Sequence, residues 1–219
     1  MNNFLQIYEL IPAPQNMPLY RDFSDDNATI LMWKYDENEE LDSEFLLEKE
    51  NYDKIKDYHP TKLKELLLVR KILKSVLPEH KILYEGRMPY LEPRDYEISI
   101  THSFPYAALA ISKQKVGIDI EPFNPKILKI QHKFLKDEEA GFIEENKETA
   151  YLTVIWSLKE SLYKIHHSKY WSLKKHYEVK PFSLDFPFNI MCRVHDENVS
   201  DLFKARVEFF ENYCFTVVD

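Results

Sequence analysis

The sequence reads as two halves, each a helix-plus-strands unit compatible with an α+β fold, and three observations carry that division. Each half holds a long segment with an apolar stripe of helical period, each carries short strand-like runs, and a polar link, Lys113-Gln114-Lys115, lies between them. The expected halves are 1–115 and 116–219, with no sequence repeat relating the two.

Beyond the prolines Pro12, Pro14 and Pro18, the run Ala28-Thr29-Ile30-Leu31-Met32-Trp33-Lys34 is apolar and branched enough for a strand. From Asp36 to Glu50 the chain is strongly acidic, and a weak helical pattern through Leu41, Phe45 and Leu46 reads as a solvated helix face. Pro60-Thr61 opens a helix whose stripe runs through Leu63, Leu66, Leu67, Arg70, Ile72, Leu73 and Val76 until Pro78 stops it. Ile82-Leu83-Tyr84 and Tyr96-Glu97-Ile98-Ser99-Ile100 read as strands, with a turn or loop over Gly86-Arg87-Met88-Pro89-Tyr90-Leu91. Residues 107–112 and 116–121 are expected to pair as strands across the polar link. Helices are expected over 126–145 and 150–167, then strands around 178–179, 189–194, 205–210 and 213–218.

Composition narrows the function. A chain of 219 residues, 44% hydrophobic and 30% charged, can bury a core without metal or disulfide staples and is too apolar for disorder. With 37 acidic against 29 basic residues, the charge of −8 disfavours nucleic acid and anionic membrane as partners, so an anionic ligand needs a local basic cluster. The two cysteines, Cys192 and Cys214, form no C-x-x-C pair, which argues against a zinc knot or a disulfide framework and for a reducing cytoplasm. No signal-peptide pattern and no apolar run near the roughly 20 residues of a membrane helix is present, so a soluble cytoplasmic protein is expected. The three glycines, Gly86, Gly117 and Gly141, cannot compose G-x-G-x-x-G or a P-loop, which disfavours a nucleotide hydrolase of that kind. Phosphates, if bound, meet side chains and metal.

Gly117-Ile118-Asp119-Ile120-Glu121-Pro122 is the most informative local pattern. On a strand it sets Asp119 and Glu121 about 7 Å apart on one face and Ile118 and Ile120 on the other. Two adjacent carboxylates repel, and a bound cation is a reason to keep both ionised. Oxygen ligands alone suit magnesium. In Trp156-Ser157-Leu158-Lys159-Glu160-Ser161-Leu162-Tyr163-Lys164, the stripe Ile155, Leu158, Leu162 and Ile165 leaves Glu160 and Lys164, four residues apart, on another helix face. A surface ion pair explains that spacing equally. Thr101-His102-Ser103 ends a strand in three polar side chains that could meet phosphate oxygens, although a lone histidine more often serves structure.

These pieces, in this order, resemble the 4'-phosphopantetheinyl transferase superfamily and its Sfp-type members, from about Leu66 to Phe182. Residues 116–121 match the family's G-[IV]-D-[IV]-E, and residues 156–164 match W-x-x-K-E-[SA]-x-x-K. The resemblance implies two similar α/β halves about a pseudo-twofold axis with the site in the cleft between them, and a monomer, since one chain holds both halves. It implies magnesium-dependent transfer of phosphopantetheine from coenzyme A to a serine of an apo acyl or peptidyl carrier protein, releasing adenosine 3',5'-bisphosphate. Manganese could replace magnesium. Asp119, Glu121 and Glu160 would hold the metal. Glu160, or a water it orients, would take the serine proton, and Lys164 would meet the diphosphate. Thr101, His102, Gly86 and Arg87 would lie against the nucleotide, with Lys159 as a further coenzyme contact and Lys62, Lys64 and Arg70 for the 3'-phosphate. Two departures stand out: Gly86-Arg87-Met88-Pro89 is one residue longer than the family's G-K-P, and no glycine follows Lys164 where the family often turns.

Lys126, Lys129, Lys133 and Lys136 recur at spacings of three, four and three, which gathers them on one side of a helix. They are expected to steer an acidic carrier protein, although a solvated face accounts for them as well. A competing function of a different class is a non-catalytic coenzyme A or carrier-protein binding module. It has no evident use for the three acids and the second lysine.

Overall fold

A computed structural model gives the fold and describes residues 19–38, 41–48, 51, 55, 57–185 and 188–219. Pro12, Pro14, Pro18 and parts of the acidic segment lie outside the described residues. The chain divides into two compact units, Met1–Gln114 and Lys115–Asp219, each mixing helices and antiparallel strands.

The first unit runs β1 (Leu19–Asp22), β2 (Ala28–Lys34), the one-turn helix α1 (Ser43–Leu46), the long helix α2 (Pro60–Val76), β3 (Lys81–Glu85), β4 (Met88–Glu92), β5 (Glu97–Ser103) and β6 (Tyr106–Ser112). Pro60 sits at the start of α2, where its missing N–H is no loss, and the His59 ring accepts the Thr61 amide at 3.3 Å. Leu68, Ile72 and Leu73 of α2 bury against Trp33, Ile82, Leu91 and Leu109. The sheet order is β1-β2-β6-β5, with β3 and β4 as a separate hairpin.

Three expectations change here. Residues 88–91, expected as loop, form β4, because Gly86 takes φ 62° and closes a tight hairpin with Arg87. The acidic segment is not wholly solvated: Glu48 is buried and accepts from Arg70 Nε at 3.1 Å, which explains an arginine within an apolar stripe. Strand β6 pairs with β2 and β5, not across the polar link.

The second unit runs β7 (Gly117–Pro122), α3 (Ile127–Ile130), a 3-10 turn (Gln131–Lys133), α4 (Asp137–Ala140), α5 (Glu148–Ile165), α6 (Leu173–His176), β8 (Tyr177–Val179), β9 (Phe188–His195), β10 (Ser200–Phe210) and β11 (Tyr213–Val218). Its sheet order is β7-β11-β10-β9-β8. Ile155, Leu158, Leu162 and Ile165 of α5 form the core with Ile190, Cys192, Val194, Ala205 and Val207. The single helix expected over 126–145 is instead a series of short turns. Phe134 is drawn fully into the core and Glu139 turns inward to a buried lysine, neither compatible with one straight helix lying on the surface. No helix among the described residues is long and apolar enough to cross a membrane.

Candidate active site

The site in the second unit begins with Gly117. A Cβ there would stand 2.1 Å from the Ser161 carbonyl oxygen, so only glycine lets α5 lie flush on β7. Close packing continues through Ser157 and Ser161, whose hydroxyls meet Thr216 Oγ1 at 2.9 and 2.8 Å on β11. Because side chains alternate along β7, the face that carries Gly117 also carries Asp119 and Glu121, while Ile118 and Ile120 are buried on the other face.

Asp119 Oδ1 accepts from Lys164 Nζ at 2.8 Å, and the same ammonium donates to the Ile118 carbonyl at 2.8 Å. Lys164 is thus tied to the strand rather than to Glu160, its neighbour one turn back. Glu121 Oε1 accepts from Trp156 Nε1 at 2.8 Å. Burial, and then the Asp119 charge, push Glu121 up to about 7, while the Trp156 bond pulls the other way. Burial also raises Glu160, with Asp119 adding to it and Lys164 opposing. The three carboxylates therefore sense one another across two elements. Their oxygens are less tightly gathered than the 4.8 Å of the one metal-competent cluster found among the described residues, which lies elsewhere in this unit. Three oxygen donors of like charge with a single ammonium suit a hard dication.

The first unit holds a cavity of about 470 Å3 lined in part by Lys62, Arg70, Tyr84, Gly86, Arg87 and His102. Arg70 gives Nε to Glu48 and Nη1 to the Leu66 carbonyl at 3.3 Å. Its Nη2 is buried and has no partner among the described residues. His102 Nδ1 lies 3.0 Å from Glu65 Oε2, and Glu65 Oε1 accepts the Phe104 amide at 3.0 Å, so this acid fixes both the ring and the turn after β5.

Residues 115–218 match the model of the 4'-phosphopantetheinyl transferase superfamily. The second unit belongs to that superfamily. The 4'-phosphopantetheinyl transferase gsp of Aneurinibacillus migulanus is 33% identical over 121 residues, which cover 52% of this chain and 50% of that protein. The chain spans about half the length of the curated relative it matches.

Within this superfamily unit, not every residue named from the sequence reaches the carboxylates. Lys159 is fully buried, its ammonium held at 2.7 Å by both Glu139 and the Phe134 carbonyl, so it is a core group and not a coenzyme contact. In the first unit, Thr101 alternates with His102 on β5 and is buried outside the cavity lining. Lys64 places its ammonium 4.3 Å over the Tyr35 ring and lines nothing in the cavity. Arg87, not Met88, takes a place in that lining.

Lys126, Lys129 and Lys133 are exposed over α3 and the turn after it, whereas Lys136 Nζ meets His195 Nε2 at 2.7 Å. The four do not share one helix face. The glycine absent after Lys164 has a substitute: Lys169 adopts φ 47° and directs its ammonium to the Tyr163 and Lys164 carbonyls at the end of α5. Sequence reasoning missed Trp156 and Glu65 as supports of Glu121 and His102. Trp156 was visible as a motif residue, while Glu65 carried no signal, since its partner is 37 positions away.

Proposed function

We propose that this protein transfers 4'-phosphopantetheine from coenzyme A to a serine of an apo acyl or peptidyl carrier protein, releasing adenosine 3',5'-bisphosphate. The observation that carries the reading is the grouping of Asp119, Glu121, Glu160 and Lys164 where α5 lies flush on β7. Asp119, Glu121 and Glu160 would hold a magnesium ion, which supplies charge neutralisation on the coenzyme's diphosphate.

The chain's own groups do the rest. Glu160 takes the proton from the serine hydroxyl, whose oxygen forms the new bond to phosphorus as the bond to the bridging diphosphate oxygen breaks. Lys164 turns from Asp119 to the charge developing on the leaving diphosphate oxygens. In the first unit, Lys62, Arg70, Arg87 and His102 hold the nucleotide's phosphates in the cavity they line. Lys126, Lys129 and Lys133 draw in the acidic carrier protein.

The test is incubation with coenzyme A, Mg2+ and an apo carrier protein, read by mass spectrometry. Gain of one phosphopantetheine arm on the carrier is expected, and Glu160→Gln abolishes it with the fold intact. Tight coenzyme binding without transfer would leave only a binding module.

A further inference from the structure

We propose that His166, His167 and Asp201 form a second metal site, for a zinc-like transition-metal dication, unrelated to the all-oxygen trio. One ligand atom from each lies within 4.8 Å of the others. Two imidazoles and one carboxylate are the donors that zinc, cobalt and nickel favour over magnesium.

The site is built. His166 is 2% exposed and directly follows α5, its amide bonded to the Leu162 carbonyl. Its ring is set by Tyr170, stacked at 5.7 Å, and by the edge contact with Phe203 at 6.0 Å. Nε2 faces Asp201 Oδ2 at 3.0 Å. Ligand atoms around a tetrahedral ion at zinc distances stand about 3.3 Å apart, so an ion fits between these two with a shift of a few tenths of an ångström. The His167 ring lies 4.4 Å from that of His166 and is exposed, and Asp201 is half exposed, which leaves the remaining coordination positions open to water.

Proton balance is simple. In the metal-free protein the His166 Nδ1 accepts the Ser168 amide at 3.2 Å, so Nε2 carries the proton and donates to Asp201. The ion replaces that proton at Nε2. The ring stays neutral by protonating Nδ1, and Ser168 gives up its acceptor. Burial, the largest influence on His166, already disfavours its charged form, which spares the ion competition from a second proton. His167 and then the Lys169 ammonium at the end of α5 act against charge on His166, and Asp201 offsets them. Occupancy ties the end of α5 to β10 and stabilises the folded unit by mass action.

The experiment titrates Co2+ into the full chain with millimolar Mg2+ present to fill the carboxylate site, following visible absorption. One ion per chain with roughly micromolar affinity is expected, and Zn2+ should displace it and raise Tm. His166→Ala disturbs a buried ring, so the deciding variants are the accessible His167→Ala and Asp201→Asn. Each should weaken Co2+ by about tenfold or more while the metal-free Tm stays near wild type. No absorption change up to millimolar Co2+ overturns the proposal, as does binding that survives both variants or is lost in Asp119→Asn instead. Transfer activity plays no part in this readout.

Discussion

Trp156 donates its indole N–H to Glu121 Oε1 at 2.8 Å, joining the first residue of one sequence motif to the last acid of the other. The ring also packs edge-on to Phe134 at 5.1 Å, so its orientation is set by the core. Trp156→Phe keeps the packing and removes the bond, leaving Glu121 free to rotate. Supports of this kind commonly matter by 10–100-fold, so the Mg2+ concentration for half-maximal transfer should rise by roughly that range. Unchanged magnesium dependence would make the contact purely architectural.

Glu121 holds its proton to about 7 in the metal-free protein, against an ordinary value of 4.5, because it is buried beside Asp119. Its folded-state proton affinity exceeds the unfolded one, so its contribution to stability is full below about 4.5 and is lost as pH rises to about 7. Without metal, wild type should therefore lose more stability between pH 5 and pH 8 than Glu121→Gln does. Metal competes with the same proton, so stabilisation by Mg2+ should be larger at pH 8 than at pH 6. Thermal melts of both proteins, with and without Mg2+, check both signs.

Lys159 and Glu139 make a fully buried ion pair at 2.7 Å, in which burial pulls the lysine down to about 8 and Glu139 pushes it back up. The glutamate also accepts the Val179 amide at 2.9 Å, linking α4 to β8. Lys159→Met leaves that acid uncompensated and should cost about 3–5 kcal/mol in denaturant unfolding. Adding Glu139→Gln should recover part of the loss. The coenzyme A KM of whatever folds should stay near wild type, as expected of a core residue.

How far the sequence could be read follows from which forces set each part. The α5 stripe and β9 were legible because their buried positions recur at 3.6 or 2 residues, β11 was legible as a short apolar run buried on both faces, and β10 was expected from 205 but starts at Ser200. The two carboxylates on one strand face followed from alternation alone. Lys159 misled because it lies in a motif whose neighbours do reach the site, and one position along a helix turns a side chain by about 100°. The lysine row misled because its spacing assumes a continuous helix, while Phe134 and Glu139 are pulled inward by partners distant in sequence. Pairing of β6 with β2 and β5 was hidden for the same reason: adjacency in sequence suggested β7, and tertiary contacts chose otherwise.

Lys129 and Lys133 remain exposed on the short helix and turn after β7, with Leu128 also 38% exposed beside them. Under the proposed transfer, charge there acts on encounter with an acidic carrier and not on the coenzyme. The double change Lys129→Glu and Lys133→Glu should raise the carrier-protein KM by about tenfold at low ionic strength, with the difference shrinking in salt. The coenzyme A KM should not move. Equal KM values for the carrier at low salt would remove this surface from docking.

Gly117 is where packing and chemistry meet most directly. A methyl group there collides with a backbone carbonyl, which cannot rotate away as a side-chain end could, so α5 must lift from β7. Lifting the helix moves Trp156, Glu160 and Lys164 together away from β7, breaking the bonds from Trp156 to Glu121 and from Lys164 to Asp119 and the Ile118 carbonyl. Gly117→Ala should therefore cost at least the roughly 1–3 kcal/mol of an overpacked core and lower transfer by more than its effect on stability explains. Measuring kcat and Mg2+ dependence on the folded fraction at low temperature separates the two effects. Wild-type magnesium dependence in that variant would mean that the flush contact does not position the acids.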